Sequence, residues 1–414
     1  MAKKKARKLG LEDSTLLSDD LLLEIPEGAE GEDDLQRVSP RQLTETVVAA
    51  TDWTTETIVR QMDRKNIDIN PSFQRRDAWT SDRKSTFIES LLLGLPIPQL
   101  VLAESKTQKG SYIVIDGKQR LLTLRQFAAA DGDPLYAPLR LTNLKQRPDL
   151  NDRTLAELRD DPTFANEVRA FENQTIRTVV IKNWPNENVL YLIFLRLNTQ
   201  SVALSPQELR QALHPGPFLV FVDEQSARLE GLRIFLNAPK PDFRMRDAEL
   251  LLRYYAFLNF LPEYHGNMKG FLDDTCEKLN RAWDTRAPQL EGQLEQLKGA
   301  FDTVFEIFGP ESAFKKWEAG RYERRANRAV YDIMTYYFSD PTVANLAVKH
   351  RGLVKADFER LCEHNVEFKR SLETTTKSLN ATVTRFAVWG TTLQHRLKRP
   401  LVIPRLEDKS IILV

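Results

Sequence analysis

The sequence predicts an α+β protein in which a mixed α/β region is followed by an all-helical region. Short apolar runs of β type alternate with helical patterns up to about residue 200, and helical spacing with few breakers fills most of the chain beyond it. Hydrophobic residues make up 42% and charged residues 28% of the 414 residues, which is typical of a globular protein with two or three domains.

The amino-terminal segment differs from the rest in its charge pattern. Five basic residues lie among the first eight, and the charged residues that follow, up to Asp34, are all acidic. Block charge with few aromatics predicts a disordered tail over residues 1–40, although the leucines within it could instead form a short docking helix. The formal net charge of +1 for the whole chain excludes a polycation, so any nucleic-acid surface must be local.

The first elements follow from capping and stop signals. Thr80 precedes a helix that Gly94 and Pro96 close. Two β-type runs come next and predict a hairpin or neighbouring strands; a helix from the Asp-Gly turn to Asp131 and a third run complete the region. The three predicted strands are Leu100–Ala103, Tyr112–Ile115 and Ile176–Ile181.

The second half opens on a specific helix start, since Ser205-Pro206-Gln207-Glu208 is a capping box with proline at the first helical position. That helix should end at His214-Pro215-Gly216. Further helices are predicted over 247–260, 270–282, 289–308, 326–338 and 355–393. We therefore divide the chain into a mixed α/β domain (41–200), a helical domain (201–400) and a tail (401–414).

The segment from Tyr112 to Arg120 carries the most informative chemistry. An apolar strand enters a tight Asp116-Gly117 turn and a helix begins at once, which brings free backbone N–H groups to one point. Lys118 and Arg120 add cations suited to phosphate, and Gln119 offers a further donor or a means to orient water. The alternative is an ordinary turn followed by a solvated helix edge, and neither a Walker loop nor a GxGxxG motif is present.

Several motifs in order resemble the amino-terminal domain of GmrSD-type restriction enzymes, a family similar to the ParB and sulfiredoxin fold. These are Phe73-Gln74-Arg75 with Trp79, the leucine-rich helix ending in Gly94-Leu95-Pro96-Ile97-Pro98, and the Asp116–Arg120 turn. The resemblance continues through Leu195-Arg196-Leu197-Asn198, the Ser205–Arg210 element and the Arg246–Arg253 helix. It covers roughly residues 50–285.

The resemblance implies a module that binds and hydrolyses a nucleoside triphosphate in DNA restriction and phage defence. Its site would comprise Gln74, Arg75, Asp116, Gly117, Lys118, Gln119 and Arg120. Asp116, Gln119 and Arg120 would be catalytic, with Asp116 as a Mg²⁺ ligand or water-orienting group. Lys118 stands where the family has its first glutamine, which adds a charge beside the phosphates; this charge would strengthen triphosphate binding, or the loss of a water-positioning amide would weaken hydrolysis. No residue of the sequence indicates whether the nucleotide is ATP, GTP or CTP.

Other matching or reactive residues have structural explanations. Asn198 could close a turn, Glu208 completes the capping box, and Trp79 is expected in the core. Members of the family often carry a carboxy-terminal HNH nuclease module, for which His364 and His395 are the candidates. A single helix predicted over Phe368–Trp389 does not suit that module.

For DNA, the candidates are Arg321, Arg324, Arg325 and Arg328, which would form one stripe on a helix, with a solvated face as the alternative. We also expect a partner effector or nuclease subunit, leave self-association open, and expect a cytoplasmic protein without a membrane segment. Three alternatives stay open: a ParB-like DNA clamp, a regulatory subunit with little turnover, and a nuclease whose site is unrecognised.

Overall fold

The computed structural model describes residues 38–67, 69, 77–197, 205–373 and 377–414. The predicted tail up to residue 37, together with Gln74, Arg75 and Asn198, lies outside the described residues. The predicted α+β class is confirmed, because a small mixed sheet occupies the first half and the second half is mainly helical.

The first half contains four strands of one sheet. In chain order its elements are α1 (Pro40–Thr44), β1 (Val47–Thr54), α2 (Thr55–Asp63), α3 (Ser81–Leu92), β2 (Leu100–Glu104), β3 (Tyr112–Asp116), α4 (Lys118–Phe127), α5 (Leu155–Asp160), α6 (Ala165–Asn173), β4 (Thr175–Lys182) and α7 (Glu187–Leu197). Short 3₁₀ turns lie at Pro148–Leu150 and Pro162–Phe164.

The sheet has the order β1-β4-β2-β3. β4 pairs antiparallel with β1 and parallel with β2, and β2 pairs antiparallel with β3, as the hairpin prediction required. β1, which was not predicted from the sequence, lies at the sheet edge and leaves Val47 and Val48 exposed. A register shift between Val101 and Leu102 bends β2 beside the end of β3.

Helices cover both faces of this sheet, which explains why β2 is apolar throughout. Leu100 and Leu102 point to one face, where they join a core with α2, α3, α4 and α6. Val101 and Ala103 point to the other, where they pack with side chains of α7 and of the helix that follows it. β2 is therefore packed on both faces, and it pairs with the end of β3, where Asp116 lies opposite Val101.

The second half is made of helices with two small hairpins. Its elements are α8 (Pro206–Leu213), α9 (Pro217–Ser226), α10 (Glu230–Leu236), α11 (Arg246–Phe260), a 3₁₀ turn (Leu261–Glu263), α12 (Met268–Arg281), α13 (Trp283–Phe308), β5 (Trp317–Glu318), β6 (Arg321–Tyr322), α14 (Arg328–Phe338), α15 (Pro341–Lys349), α16 (Arg351–His364), α17 (Val366–Glu373), α18 (Leu379–Leu397), β7 (Pro404–Glu407) and β8 (Ser410–Leu413).

The helix predicted over 355–393 is wrong in detail, and the segment 401–414 has local structure of its own. The helix expected over 355–393 is three helices, because Asn365 caps the start of α17 by accepting from the Phe368 N–H (2.9 Å) and Ser378 caps α18. The segment 401–414, predicted as a tail, folds into the β7–β8 hairpin and buries Ile411.

One side chain from α12 completes the start of α9. The Oδ1 atom of Asn280 accepts from the Phe218 and Leu219 N–H groups (3.1 and 3.3 Å), and its Nδ2 donates to the His214 carbonyl (3.0 Å). Gly216 makes room for this amide, since a Cβ there would lie 2.3 Å from Asn280 Cγ. Thus an asparagine more than 60 residues away supplies the amino-terminal cap of α9.

A continuous apolar core joins the two halves. The buried set that begins at Ile58 in α2 extends through α9 and α11 to Leu397. Within the helical half, Asp332 is buried and accepts from Arg253 Nη2 (2.6 Å) and Arg385 Nη2 (3.2 Å). Among the described helices, none is long and apolar enough to cross a membrane.

Candidate functional site

The turn between β3 and α4 has the strand–turn–helix geometry that the sequence predicts. Gly117 adopts φ +99°, a left-handed conformation that disfavours side chains. A Cβ at this position would also lie 2.3 Å from Leu100 Cδ2 and 3.2 Å from Arg120 Nη2. Glycine is therefore required here by backbone strain and by close packing of Leu100 and Arg120, rather than by open space for an anion above the turn.

Asp116 and Arg120 form an ion pair across this turn. Arg120 Nη2 donates to Asp116 Oδ2 (3.0 Å) and to the Gln99 carbonyl (3.0 Å), and the Gly117 N–H donates to Asp116 Oδ1 (2.7 Å). The two side chains are 23% and 11% exposed, respectively. The pair is thus partly shielded from water but still reachable, and it places a carboxylate and a guanidinium side by side.

The start of α4 has no side-chain cap. Several described helices begin with a capping side chain, such as Thr80 for α3 and Ser205 for α8, whereas Gly117 offers none to α4. No side chain at the N-cap position therefore accepts from the N–H groups of this first turn, where the positive end of the helix dipole lies. Within the described residues, Arg120 Nε and Gln119 Oε1 are also buried without a hydrogen-bond partner.

Lys118 is directed away from this turn. Its ammonium forms a buried ion pair with Glu208 of α8, and both side chains are about 95% buried (6% and 5% exposed). The second Glu208 oxygen accepts from the Ser205 N–H (2.7 Å), so the predicted capping box is present. The charge that the sequence analysis placed beside the phosphates is compensated inside the protein.

Asp77, which lies four residues before the start of α3, is held by an ion pair with a buried lysine. This carboxylate forms an ion pair with the buried Lys84, which also donates to Gln126 Oε1 of α4 (2.7 Å). Trp79 packs edge-on against Phe87 and contacts the main core, as the sequence predicts for a core aromatic.

The arginine stripe predicted for DNA does not form as a helix. Arg321 lies in β6, Arg324 and Arg325 lie in a bend, and α14 begins only at Arg328, where Asn327 caps it. The guanidinium of Arg328 is buried and forms an ion pair with Glu249 (3.3 Å). The other three arginines are exposed. Local capping by Asn327 thus overrides the helical spacing.

The two histidines considered for an HNH module lie on separate helices. His364 is the last residue of α16 and His395 lies in the last turn of α18. The single helix predicted over Phe368–Trp389 is wrong, because α17 ends at Glu373 and α18 begins at Leu379. Neither histidine belongs to a metal-compatible cluster among the described residues.

One cluster of potential ligands was not predicted from the sequence. Glu187 of α7, His214 after α8 and Asp273 of α12 converge so that their ligand atoms lie within 4.8 Å of one another. They line a cleft of about 610 Å³. The sequence analysis treated His214 as a residue beside a turn, because its neighbours in space are 27 and 59 residues away along the chain.

Asp273 is the most strongly held member of this cluster. Arg210 Nε and Lys269 Nζ each donate to its carboxylate at 2.6 Å. Burial alone would raise the pKa of Asp273, but the charges of Arg210 and Lys269 outweigh it, so this pKa lies below its ordinary value.

Comparison with known families identifies the class of the first half. Residues 56–215 match the family described as "GmrSD restriction endonuclease, N-terminal domain". The resemblance predicted from the motifs is thereby confirmed for this part of the chain, which is consistent with a GmrSD-type N-terminal domain. No curated protein and no solved structure matches the chain.

Proposed function

We propose that the protein is a nucleotide-binding, nucleotide-hydrolysing component of a cytoplasmic DNA restriction or anti-phage defence system. The observation that supports it most is the Asp116-Gly117 turn into the uncapped α4, with Arg120 beside it, inside a GmrSD-type domain. The assignment to a restriction or defence system rests on the family match, and the proposed nucleotide binding and hydrolysis rest on this turn.

Phosphate binding follows from the donors at the start of α4. The lack of a side-chain cap at Gly117 and the positive end of the helix dipole favour an anion at this point. Arg120 has an unpartnered Nε, and its Nη2 atom is bonded to Asp116 and to Gln99. A bound triphosphate would replace Asp116 as the partner of the Arg120 guanidinium and accept two hydrogen bonds from it. Gln74 and Arg75 are assigned to the site only because they match the motif of the family.

Mg²⁺ fits this site only in company with phosphate. Asp116 is the single carboxylate at the turn, and its oxygens already accept from Gly117 and Arg120. Mg²⁺ is commonly held by one or two carboxylates together with substrate phosphates. Asp116 would hold the ion once Arg120 moves to the phosphates, and the ion would supply charge neutralisation at the phosphoryl oxygens.

Hydrolysis needs a group that positions water. Gln119 is the candidate, because its Oε1 is buried without a partner among the described residues and it follows the turn directly. The neighbouring position holds Lys118, whose side chain pairs with Glu208 and is not available for this role. We therefore propose slow turnover, with the nucleotide acting as a switch for a partner effector.

DNA contact is proposed for Arg321, Arg324 and Arg325, without the buried Arg328. Replacing the three by alanine should reduce the salt dependence of DNA binding by about one unit of slope per lost phosphate contact. The matched control replaces three other exposed arginines, Arg41, Arg169 and Arg281. An unchanged slope in the first variant rejects the patch.

The central test measures binding and turnover of each nucleoside triphosphate with Mg²⁺, with and without DNA. Arg120→Ala should weaken nucleotide binding at least tenfold, and Asp116→Asn should remove its Mg²⁺ dependence. Arg125→Ala is the control, because Arg125 lies on the same helix and pairs with Asp133 and Asp63 away from the turn.

Each outcome selects one function. Turnover without DNA scission supports the proposal, binding with little turnover favours a clamp, and scission without nucleotide favours a nuclease. If the wild type binds no nucleotide, or Arg120→Ala binds it as the wild type does, the proposal is wrong and an inert regulatory subunit becomes the better explanation.

A further inference from the structure

We propose that Glu187, His214 and Asp273 bind a divalent transition-metal ion, with Zn²⁺ as the best-suited member of the class. The cluster lies where α7, the end of α8 and α12 meet, and none of its residues belongs to the Asp116–Arg120 turn. The site is independent of nucleotide binding and of the Mg²⁺ assigned to Asp116.

The distances between the ligand atoms suit one bound ion. His214 Nε2 lies 3.2 Å from Glu187 Oε2 and 4.0 Å from Asp273 Oδ1. Ligand atoms at about 2.0–2.2 Å from a tetrahedral Zn²⁺ are about 3.3–3.6 Å apart. The Glu187 pair is already close to this separation, and Asp273 must approach by roughly half an ångström. Glu187 is the first residue of α7 and is 37% exposed, so it is free to adjust.

His214 presents a nitrogen without a hydrogen bond. Its Nε2 atom is buried and, among the described residues, has no hydrogen-bond partner of acceptable geometry although Glu187 is near. The backbone of His214 is fixed by the amide of Asn280, which donates to its carbonyl. An imidazole nitrogen with two carboxylates favours Zn²⁺ or Mn²⁺ over the all-oxygen ions Mg²⁺ and Ca²⁺.

The surrounding charges orient the ligands without occupying every lone pair. Arg210 and Lys269 each donate to one oxygen of Asp273, and each carboxylate oxygen has a second lone pair for an ion. Such outer-shell contacts are usual for metal-bound carboxylates. The cleft is lined by four acidic residues and two lysines, which gives its lining a formal charge of −2 with His214 neutral. These residues are Glu187, Asp273, Asp274, Glu277, Lys106 and Lys269.

The ion would connect the matched domain to the helices that follow it. Glu187 and His214 belong to the segment 56–215, whereas Asp273 lies in α12. The three protein ligands would leave a fourth position facing the cleft, open to water or to a further ligand.

The experiment titrates the full chain, first stripped with a chelator, with Zn²⁺ and then with Mn²⁺ by calorimetry. We expect one Zn²⁺ per chain and a rise in Tm on loading. Glu187→Gln and His214→Gln should each weaken Zn²⁺ binding at least tenfold, while His364→Ala and Asp302→Asn, which replace exposed residues, should bind like the wild type. Asp273 is left unchanged because it also pairs with Arg210.

A second readout keeps the result independent of folding. Co²⁺ loading should give a visible absorption band in the wild type that both ligand variants lose while their apo Tm stays close to that of the apo wild type. No stoichiometric Zn²⁺ uptake, or uptake that both ligand variants retain in full, would overturn the proposal and leave His214 and Glu187 as an ordinary polar pair. No nucleotide is present, so failure here does not bear on the nucleotide site.

Discussion

The ammonium of Lys118 and the carboxylate of Glu208 form a buried ion pair that joins the first turn of α4 to the first turn of α8. Glu208 also closes the capping box with Ser205 through its second oxygen. The lysine that departs from the family's glutamine therefore has a structural partner. Its position depends on α8, which lies about 90 residues further along the chain.

Lys118→Met should destabilise the protein by about 3–5 kcal/mol, because it leaves the buried Glu208 carboxylate without its positively charged partner. The free energy of unfolding from urea titration measures this loss. Removing both charges in Lys118→Met with Glu208→Gln should recover much of it. Lost nucleotide affinity at unchanged stability would instead mean that Lys118 contacts phosphate.

Gly117→Ala should cost more stability than Gly132→Ala, although both glycines have positive φ (+99° and +80°). The control replacement meets no atom within 4 Å and should cost about 1 kcal/mol from backbone strain. At Gly117 the new methyl group also meets the buried Leu100, which adds about 1–3 kcal/mol. Equal losses in urea unfolding would show that packing over the turn is loose.

The ion pairs of Asp273 should make stability depend on acid pH. Its pKa is lowered in the folded protein because Arg210 and Lys269 outweigh burial, so its contribution is complete above the unfolded value of about 4 and is lost as the pH falls below it. At pH 7, Asp273→Asn should cost about 3–5 kcal/mol, since the buried Arg210 guanidinium loses the carboxylate that compensates its charge.

The same comparison at acid pH provides the check. The difference in unfolding free energy between wild type and Asp273→Asn should shrink as the pH falls from 5 to 3, whereas the exposed Asp302→Asn should track the wild type throughout. A difference that is constant with pH would contradict the assigned cause.

Both cysteines should be unreactive in the folded protein. Burial raises the pKa of the Cys362 thiol to about 12, so that only about one molecule in ten thousand carries the thiolate at pH 8. Cys276 is fully buried. A thiol reagent followed by absorbance should detect no fast-reacting thiol in the native protein and two in urea. A fast native reaction would show that the helical half opens locally.

Local signals predicted much of the fold. Thr80 and Ser205 start α3 and α8 as expected, since a cap depends on a few neighbouring residues. The edge strand β1 was missed because it is largely exposed and lacks a clear apolar run. Helical spacing alone extended helices across Asn327 and Ser378, where capping side chains begin new ones.

The candidate site was predictable only where its residues are contiguous. The Asp116–Arg120 turn was found because strand, glycine and helix follow one another directly. The pairing of Lys118 with Glu208, and of His214 with Glu187 and Asp273, depends on helix packing that no local pattern encodes.

The cap that Asn280 provides for α9 limits which fragments of this protein can fold by themselves. A fragment that ends at residue 215 would lose the amide that holds the His214 carbonyl, and Arg210, which is 2% exposed, would lose Asp273. A self-sufficient fragment must therefore continue at least to the end of α12 at Arg281. The limit of the family match at residue 215 is a limit of sequence similarity and not of folding.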